Sequence, residues 1–335
     1  MKKFASDLID AARDALAGRI IRTPVLPLES SKIAPYIPDD TQLFMKLELF
    51  QHTGSFKARG ALLGVDWLSD AQKAKGVATF SGGNHALATA WAARKQGISA
   101  KVLMTEAADP IRIDGCRALG AEIVLVPDMG HALPLLDQIA ADEGRHILHP
   151  FNDVNMAFGA ATCGAEFIED APPLDMVVLP VGGGGLISGM AAAIKRHNPD
   201  ITVIGVEPKG ADSLRRSFAT GTPAVLDRID TFADSLGAPR AMPESFALAR
   251  QNVDDIVLID DNAMAETMLL MRHTLTLVAE PACTASLAAT LGPLRDMIRG
   301  KSVGVLACGS NISPDRYARY TADASLPHII TYPKA

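Results

Sequence analysis

Short apolar runs alternate with longer stretches of helical period from about Gly76 onward. The apolar runs, which are rich in β-branched residues, are GVATFS, AKVLM, EIVLVP and RHILHP, and the helical stretches between them are NHALATAWAARKQG and PIRIDGCRALG. Such an alternation is typical of parallel strands connected by helices that cover the sheet. The pattern therefore predicts one α/β unit in this part of the chain.

A second α/β series occupies the later part of the chain. It consists of the helical stretches VNMAFGAATCGAEFIED and GLISGMAAAIKRH and the apolar runs MVVLP, TVIGVEP and SVGVLAC. No internal repeat or low-complexity linker separates the two series. We therefore expect two lobes of one α/β fold with a cleft between them. Ligands of such sheets bind beyond the carboxyl ends of the strands.

Composition and charge indicate which class of molecule the protein binds. Of 335 residues, 48% are hydrophobic and 21% are charged, which is ordinary globular composition. Lys and Arg number 32 against 38 Asp and Glu, a net charge of -6, and no dense basic run is present. Nucleic acid is therefore not an expected partner, and a small molecule is.

The cysteines argue against a metal knuckle or a disulfide framework. Cys116, Cys163, Cys283 and Cys308 are far apart and form no CxxC pair. This usage suits a reducing compartment, and we predict a cytoplasmic location.

The N-terminal stretch contains lysines, but acidic residues interrupt any apolar core of a signal peptide, so an amphipathic helix is predicted there. No window approaches the roughly 20 uncharged apolar residues of a membrane span, so no membrane is expected as a partner.

The first chemical motif is TGSFKARGA, Thr53 to Ala61. Ser55 is a good helix N-cap, which places Lys57 in the first helical turn. A cation there is disfavoured by about 0.3–1 kcal/mol, which lowers the lysine pKa and favours the neutral amine that forms imines. Taken alone, such a lysine is more often a solvated surface residue. Phe56 beside it suits a planar ligand but is, alone, more often core.

The second motif is FSGGNHA, Phe80 to Ala86, where a predicted strand meets a predicted helix. Two glycines let the backbone approach a ligand, and the amides of the turn and helix start form an anion site that would suit a carboxylate. A tight turn with Asn84 as helix cap explains the same residues equally well.

The third motif is VGGGGLISG, Val181 to Gly189, again between a strand and a helix. Consecutive glycines let several N–H groups turn toward one phosphate. A dinucleotide site competes, with Glu207 as its ribose-binding acid. The G-x-G-x-x-G motif of such a site, however, needs a third glycine where this chain has Ile187 or Ser188, depending on the glycine from which the motif is counted. The lysine of a Walker phosphate loop is also absent. A single phosphate monoester fits better.

The fourth motif is ACGSNIS, Ala307 to Ser313, on the turn after the last predicted strand. Cys308 alone would be a buried core thiol.

Taken in this order, the four motifs resemble the fold-type II pyridoxal-phosphate enzymes, and within them the serine/threonine dehydratases and their relative serine racemase. The resemblance runs from RTPVLPLES through KLELFQHTGSFKARGA to AEPACTASLAA and CGSNIS, nearly the whole chain. It implies a tryptophan synthase β-like fold of two lobes, each with a mainly parallel sheet flanked by helices. The large, cofactor-binding domain would comprise 1–52 and 148–335, the small domain 76–147, and 53–75 the link that carries the Schiff-base lysine.

The resemblance also assigns roles to residues of the motifs. Pyridoxal 5'-phosphate would be held as a Schiff base on Lys57, with Phe56 against its ring and Asn84 bonded to its ring hydroxyl. The other implied contacts are these: Ser81, Gly82, Asn84 and His85 on the substrate; Gly182, Gly183, Gly184, Gly185 and Leu186 around the phosphate; Cys308 at the pyridine nitrogen.

Relatives also carry a divalent-cation site, which would fall here on Glu207, the carbonyl of Ala211 and Ser213. The third position is an acid in relatives, so a Mg²⁺ or Ca²⁺ site is doubtful in this chain. Ser235 also replaces a glycine of the family, in the segment TFADSLG.

The implied reaction is loss of the β-hydroxyl and amino group from a small hydroxy-amino acid such as L-threonine or L-serine, giving a 2-oxo acid and ammonia. A neutral thiol at Cys308 makes the ring a weaker electron sink, which favours rapid elimination. Alternatives are a 3-hydroxyaspartate dehydratase, a serine racemase-like enzyme and, less favoured, β-replacement as in cysteine synthase. A silent ligand-binding protein on the same scaffold is a further alternative, which retention of Lys57 beside the glycine loop disfavours.

Three further expectations concern racemisation, His131 and assembly. Racemase relatives have a serine where this chain has Gly82, so little racemase activity is expected. His131 either approaches a distal substrate group or, more simply, is a solvated loop histidine. A homodimer or homotetramer is expected.

Overall fold

The computed structural model describes residues 4, 5, 7–151 and 153–327. Its helices are α1 (Leu8–Leu16), α2 (Lys57–Asp66), α3 (Asp70–Lys75), α4 (Asn84–Lys95), α5 (Pro110–Ala118), α6 (Met129–Glu143), α7 (Val154–Asp170), α8 (Gly185–His197), α9 (Ser213–Thr220), α10 (Pro243–Asn252), α11 (Asp261–Leu270), α12 (Pro281–Leu291) and α13 (Pro314–Thr321). Its strands are β1 (Val25–Pro27), β2 (Gln42–Lys46), β3 (Val77–Phe80), β4 (Ala100–Thr105), β5 (Glu122–Val126), β6 (His146–Ile147), β7 (Met176–Pro180), β8 (Thr202–Pro208), β9 (Asp255–Ile259) and β10 (Ser302–Leu306).

The larger sheet has six strands in the order β1-β2-β10-β7-β8-β9. Only β1 runs antiparallel to its neighbour, and the other pairs are parallel. Every residue of β7 is buried, and in β8 only the first is not. A strand reads as a continuous apolar run when helices cover both faces of its sheet. This explains the unbroken pattern of MVVLP and TVIGVEP.

The smaller sheet has four parallel strands in the order β5-β4-β3-β6. All four lie between Val77 and Ile147. The predicted α/β fold with two mainly parallel sheets is therefore confirmed, whereas the exact domain boundaries stay a prediction.

Helix α7 lies close to the backbones of α2 and α8, and glycines make this approach possible. A Cβ on Gly159 of α7 would lie 2.3 Å from the main-chain nitrogen of Gly60 in α2. A Cβ on Gly189 of α8 would lie 2.0 Å from the carbonyl oxygen of Ala157 in α7. A side chain at either position would separate the helices. The contact with α7 thus holds α2, the helix that begins with Lys57, in place.

Two local expectations are wrong. The stretch between EIVLVP and RHILHP forms a long helix, α6, which its internal Pro134 conceals in the sequence. Ser55 is not the N-cap of α2: it is extended, with φ -164° and ψ 159°, and Phe56 occupies the capping position without a side-chain hydrogen bond. Lys57 nevertheless begins the helix, as predicted. In the described part of the chain, no helix has the length and apolar character needed to cross a membrane.

Candidate active site

One cavity of about 630 Å³ opens at the carboxyl ends of strands from both sheets. Phe80 ends β3, Pro180 ends β7, and Cys308 follows β10 by two residues, and all three line it. The cavity also brings together the residues that the resemblance assigned to cofactor and substrate: Phe56, Lys57, Ser81, Gly82, Asn84, His85, Gly182, Gly183, Gly184, Gly185, Leu186 and Cys308.

Lys57 is half-buried on the cavity wall. Its amine donates a hydrogen bond to the carbonyl oxygen of Pro150 at 2.5 Å and lies 5.1 Å from the centre of the Phe56 ring. Burial lowers the pKa of Lys57 to about 8. The lowered pKa agrees in direction with the sequence argument, but desolvation rather than the helix dipole is the main cause.

The turn before Lys57 is held by the segment that follows β10. The N–H of Phe56 donates to the carbonyl of Cys308 at 3.2 Å, and the N–H of Ser310 donates to the carbonyl of Gly54 at 2.9 Å. Thr53 has φ 60°, an uncommon conformation for a β-branched residue, and its carbonyl accepts the Asn311 side-chain amide at 2.7 Å. Strain of this kind persists only where the surrounding contacts hold it. Two motifs distant in sequence thus form one support for the lysine.

The glycine loop 182–185 fits an anion. A Cβ on Gly183 would lie 2.2 Å from the Phe151 ring, and Gly184 has φ +87°, a conformation that side chains disfavour. Helix α8 begins at Gly185, so its N-terminus faces the same cavity. Unpaired N–H groups and the helix dipole at such an end attract a phosphate.

The loop Ser81–Gly83 leads from β3 into α4. Nε2 of His85 lies 3.0 Å from the carbonyl oxygen of Leu148, so this nitrogen carries the ring proton. Nδ1 is buried and has no hydrogen-bond partner among the described residues. Burial, with Lys57 nearby, lowers the pKa of His85 to about 3, so the ring stays neutral. The main-chain N–H of His85, rather than its ring, is therefore the group that can donate to a substrate carboxylate.

The sequence argument missed two residues that line the cavity, Asp234 and Glu280, and one that lies behind it, Arg112. Arg112 bonds to the carboxylates of both Asp234 and Glu280, and Glu280 accepts the side-chain amide of Asn84 at 2.5 Å. Asp234 and Glu280 line the cavity, and Arg112 lies behind the loop Ser81–Gly83, the candidate substrate loop. The one signal in the sequence was Glu280 itself, an acid directly before the almost wholly apolar helix PACTASLAATL.

Cys308 is buried, and burial holds the pKa of its thiol well above the usual range, so the group is neutral. Ser235 is exposed at the cavity, with its hydroxyl 3.2 Å from Asp234. His131 does not line the cavity: it lies in the first turn of α6, exposed, with Nδ1 2.9 Å from Asp128. It is thus a solvated helix residue rather than a loop residue.

The residues assigned to a cation do not fit one. Glu207 accepts the main-chain N–H groups of Leu214 at 2.9 Å and Arg215 at 2.7 Å, so both oxygens already serve the start of α9. Ser213 is neutral, and the neighbouring acid Asp212 pairs with Arg216 at 2.8 Å. A hard divalent cation needs several free oxygen ligands, usually with more than one carboxylate.

A half-buried lysine of lowered pKa and a glycine loop at a helix start, in a cavity between two mainly parallel sheets, define a cofactor-dependent enzyme of the α/β class. The model of the family "Pyridoxal-phosphate dependent enzyme" matches residues 16–309. The chain belongs to this family.

Its relatives act on related amino acids. The chain is 44% identical over 280 residues to phenylserine dehydratase of Ralstonia pickettii, covering 84% of this chain and 86% of that one. It is 36% identical over 309 residues to β-hydroxyaspartate dehydratase of Paracoccus denitrificans, covering 91% and 96%. The structure of maize serine racemase superposes with a TM-score of 0.87 at 32% identity, covering 94% of this chain and 98% of that one.

Proposed function

We propose that this protein is a dehydratase that converts a 3-hydroxy-α-amino acid with an apolar side chain into a 2-oxo acid and ammonia. The observation that carries the proposal is Lys57, an amine on the cavity wall whose pKa is lowered to about 8. The same cavity offers the glycine loop 182–185 for a phosphate and the main-chain N–H groups of Gly82 and His85 for a carboxylate.

In this proposal, Lys57 is the base that removes the proton from Cα. Pyridoxal phosphate, when bound, supplies the sink for the electron pair that this leaves. The main-chain N–H groups of Gly82 and His85 hold the substrate carboxylate. The hydroxide lost from Cβ and the proton lost from Cα leave together as one molecule of water. The released 2-amino-alkenoate then takes up water and yields the 2-oxo acid and ammonia.

The wall contributed by α6 favours an apolar substrate side chain. Met129 and Leu133 line the cavity yet remain 41% and 46% exposed, and Leu136 lies behind them. Ala107 and Ala108, which also line the cavity, add little bulk. Large apolar side chains left exposed in a cavity are typical of a binding surface for an apolar group. A phenyl group would cover this surface, whereas serine would leave it in contact with water.

A second candidate substrate is 3-hydroxyaspartate, and one residue favours it. Arg240 is exposed at the cavity and has no ion-pair partner within the residues that the structure describes. By contrast Arg316, also at the cavity, lies 3.6 Å from carboxylate oxygens of both Asp109 and Asp234. Arg240 could therefore meet a distal carboxylate.

A substrate panel tests both candidates: 2-oxo acid and ammonia release from 3-phenylserine, threonine, serine and 3-hydroxyaspartate. Burial of an aromatic ring is worth about 1.5–3 kcal/mol, so we expect kcat/KM for phenylserine to exceed that for serine by roughly 10- to 100-fold. Release of neither product from any of the four would contradict the proposed function.

Two variants separate the candidates. Leu133→Arg places a cation on the apolar wall and should lower kcat/KM for phenylserine while raising it for hydroxyaspartate. Leu125→Arg is the matched control, because Leu125 is 43% exposed on β5 but does not line the cavity. Arg240→Met should leave phenylserine turnover intact. A loss of hydroxyaspartate turnover in that variant, with hydroxyaspartate the best wild-type substrate, would favour the second candidate.

The homodimer or homotetramer and the cytoplasmic location stay proposals. The four cysteines are all free and buried, which suits a reducing compartment. Light scattering coupled to size-exclusion chromatography would measure the oligomeric state.

A further inference from the structure

Arg112 lies on α5, the helix that connects β4 and β5 of the smaller sheet, yet its guanidinium contacts the other part of the molecule. Nε donates to the carbonyl of Asn311 at 3.0 Å, Nη1 to Asp234 at 2.7 Å and Nη2 to Glu280 at 3.1 Å. Nη1 also donates to the carbonyl of Gly82, in the substrate loop, at 3.3 Å. The Arg112 side chain is only 3% exposed. A surface ion pair would not be desolvated to this degree.

Glu280 bridges Arg112 and Asn84 through its two carboxylate oxygens. Its Oε2 accepts Arg112, and its Oε1 accepts the Asn84 side-chain amide at 2.5 Å. The oxygen of that amide accepts the side chain of Asn311 at 2.7 Å. An ionised carboxylate can only accept hydrogen bonds, so the NH₂ group of Asn84 must face Glu280. Both ends of the Asn84 amide are therefore fixed, beside the cavity that it lines.

The charge of Glu280 depends on Arg112. Burial raises the pKa of Glu280 to about 7, and Asp234 acts in the same direction, whereas Arg112 and the Asn84 bond lower it. Glu280 also interacts with the thiols of Cys283 and Cys308, which burial keeps neutral. Loss of Arg112 would therefore raise the pKa of Glu280 further. Protonation would leave Glu280 one acceptor oxygen free of a proton, where both of its oxygens now accept hydrogen bonds, and this would weaken its hold on the NH₂ group of Asn84.

We propose that Arg112 is a positioning residue of the active site, which fixes Asn84 through Glu280 and the substrate loop through the carbonyl of Gly82. Docking of the smaller sheet against the larger one and ordering of the cofactor pocket are then a single event. The proposal rests on the proposed function only in taking this cavity as the active site.

The test uses the cofactor-loaded protein and follows the absorbance of bound pyridoxal phosphate against pH, together with its dissociation constant. Wild type should show a transition near the Glu280 pKa of about 7. In Arg112→Met this transition should move up by roughly one to three pH units, the usual effect of losing a close opposite charge. It should vanish in Glu280→Gln, and cofactor should bind less tightly in both variants.

Arg316→Met is the matched comparison, since Arg316 also joins the two sheets through Asp109 and Asp234 but does not contact Glu280. It should lower the Tm without moving the transition. The transition in Arg112→Lys should lie between those of the wild type and Arg112→Met, because lysine keeps the positive charge. An equal shift in Arg316→Met, or an unmoved transition in Arg112→Met, would overturn the proposal. If Arg112→Met does not fold, a transition that persists in Glu280→Gln overturns it instead. These spectra remain informative even if no hydroxy-amino acid is dehydrated.

Discussion

The amine of Lys57 donates its hydrogen bond to the carbonyl oxygen of Pro150. The same short segment anchors the substrate loop, because the carbonyl of Leu148 lies 3.0 Å from Nε2 of His85 and accepts the hydroxyl of Thr79 at 2.7 Å. The segment that leaves β6 for α7 therefore sets the position of the lysine and of the histidine together. Burial of the Lys57 amine, which contacts this segment, lowers the pKa of the lysine.

Lys57→Ala should abolish turnover and the absorbance of covalently held cofactor, because the cavity is lined by no other lysine among the described residues. Lys209→Ala is the control, since Lys209 is 61% exposed and pairs only with Asp260. That surface pair is worth at most about 1 kcal/mol, so activity should persist. Near wild-type elimination by Lys57→Ala would refute the central assignment.

The rate at which apoenzyme takes up pyridoxal phosphate should rise with pH. Only the neutral amine adds to an aldehyde, and with a pKa of about 8 for Lys57 the neutral fraction grows about tenfold per pH unit below that value and then levels off. Stopped-flow absorbance from about pH 6 to about pH 9 would measure it. A rate still climbing steeply at the upper limit would mean that burial does not lower the pKa of this lysine.

Gly185→Asp should abolish cofactor binding while the fold survives. A Cβ there meets Phe151 at 3.5 Å, an ordinary contact, and an acid in the first turn of α8 is favourable for the helix. The new carboxylate would repel a phosphate at the same place. Gly185→Ala controls for size and should bind cofactor. Gly184→Asp tests the same repulsion but adds backbone strain at φ +87°. Unchanged cofactor occupancy in Gly185→Asp would show that the phosphate does not bind at this loop.

Chelation of divalent cations should change stability little, with a Tm shift of roughly 2 °C or less, because Glu207 is occupied by the start of α9. Ser213→Asp should add the missing acid, destabilise the protein without cation and regain stability with Mg²⁺. Full inactivation of wild type by a chelator, reversed by magnesium, would show that a cation is bound and that Asp212 or water takes the place of the acid missing at Ser213.

The enzyme should release far more 2-oxo acid than racemised substrate, because Lys57 serves one face of the substrate and Gly82 offers no donor to the other. A Cβ on Gly82 would meet only Ala108, at 3.4 Å, so a side chain fits there. Gly82→Ser should raise the racemised share, measured as D-serine against pyruvate from L-serine in D₂O, and Gly82→Ala should not. D-serine forming as fast as pyruvate in wild type would contradict the argument.

The two α/β series, the helix start at Lys57 and the two glycine loops are all predictable from the sequence. These features are local: strand and helix periods, and glycines between them, act within a few residues. Helix α6 is not predictable in this way because Pro134 interrupts its helical pattern. Serine is a common N-cap residue, but the extended backbone of Ser55 places it outside the helix.

The charged pairs of the site and the desolvation of its groups follow from the tertiary fold. Arg112 contacts Asp234 and Glu280, which lie 122 and 168 residues away in the sequence. No local sequence pattern predicts contacts between residues so far apart. The pKa of Lys57 falls chiefly by burial under segments near Pro150 and Cys308, a larger effect than the dipole of its own helix. Desolvation depends on every segment that covers a group, so it exists only once the chain has folded.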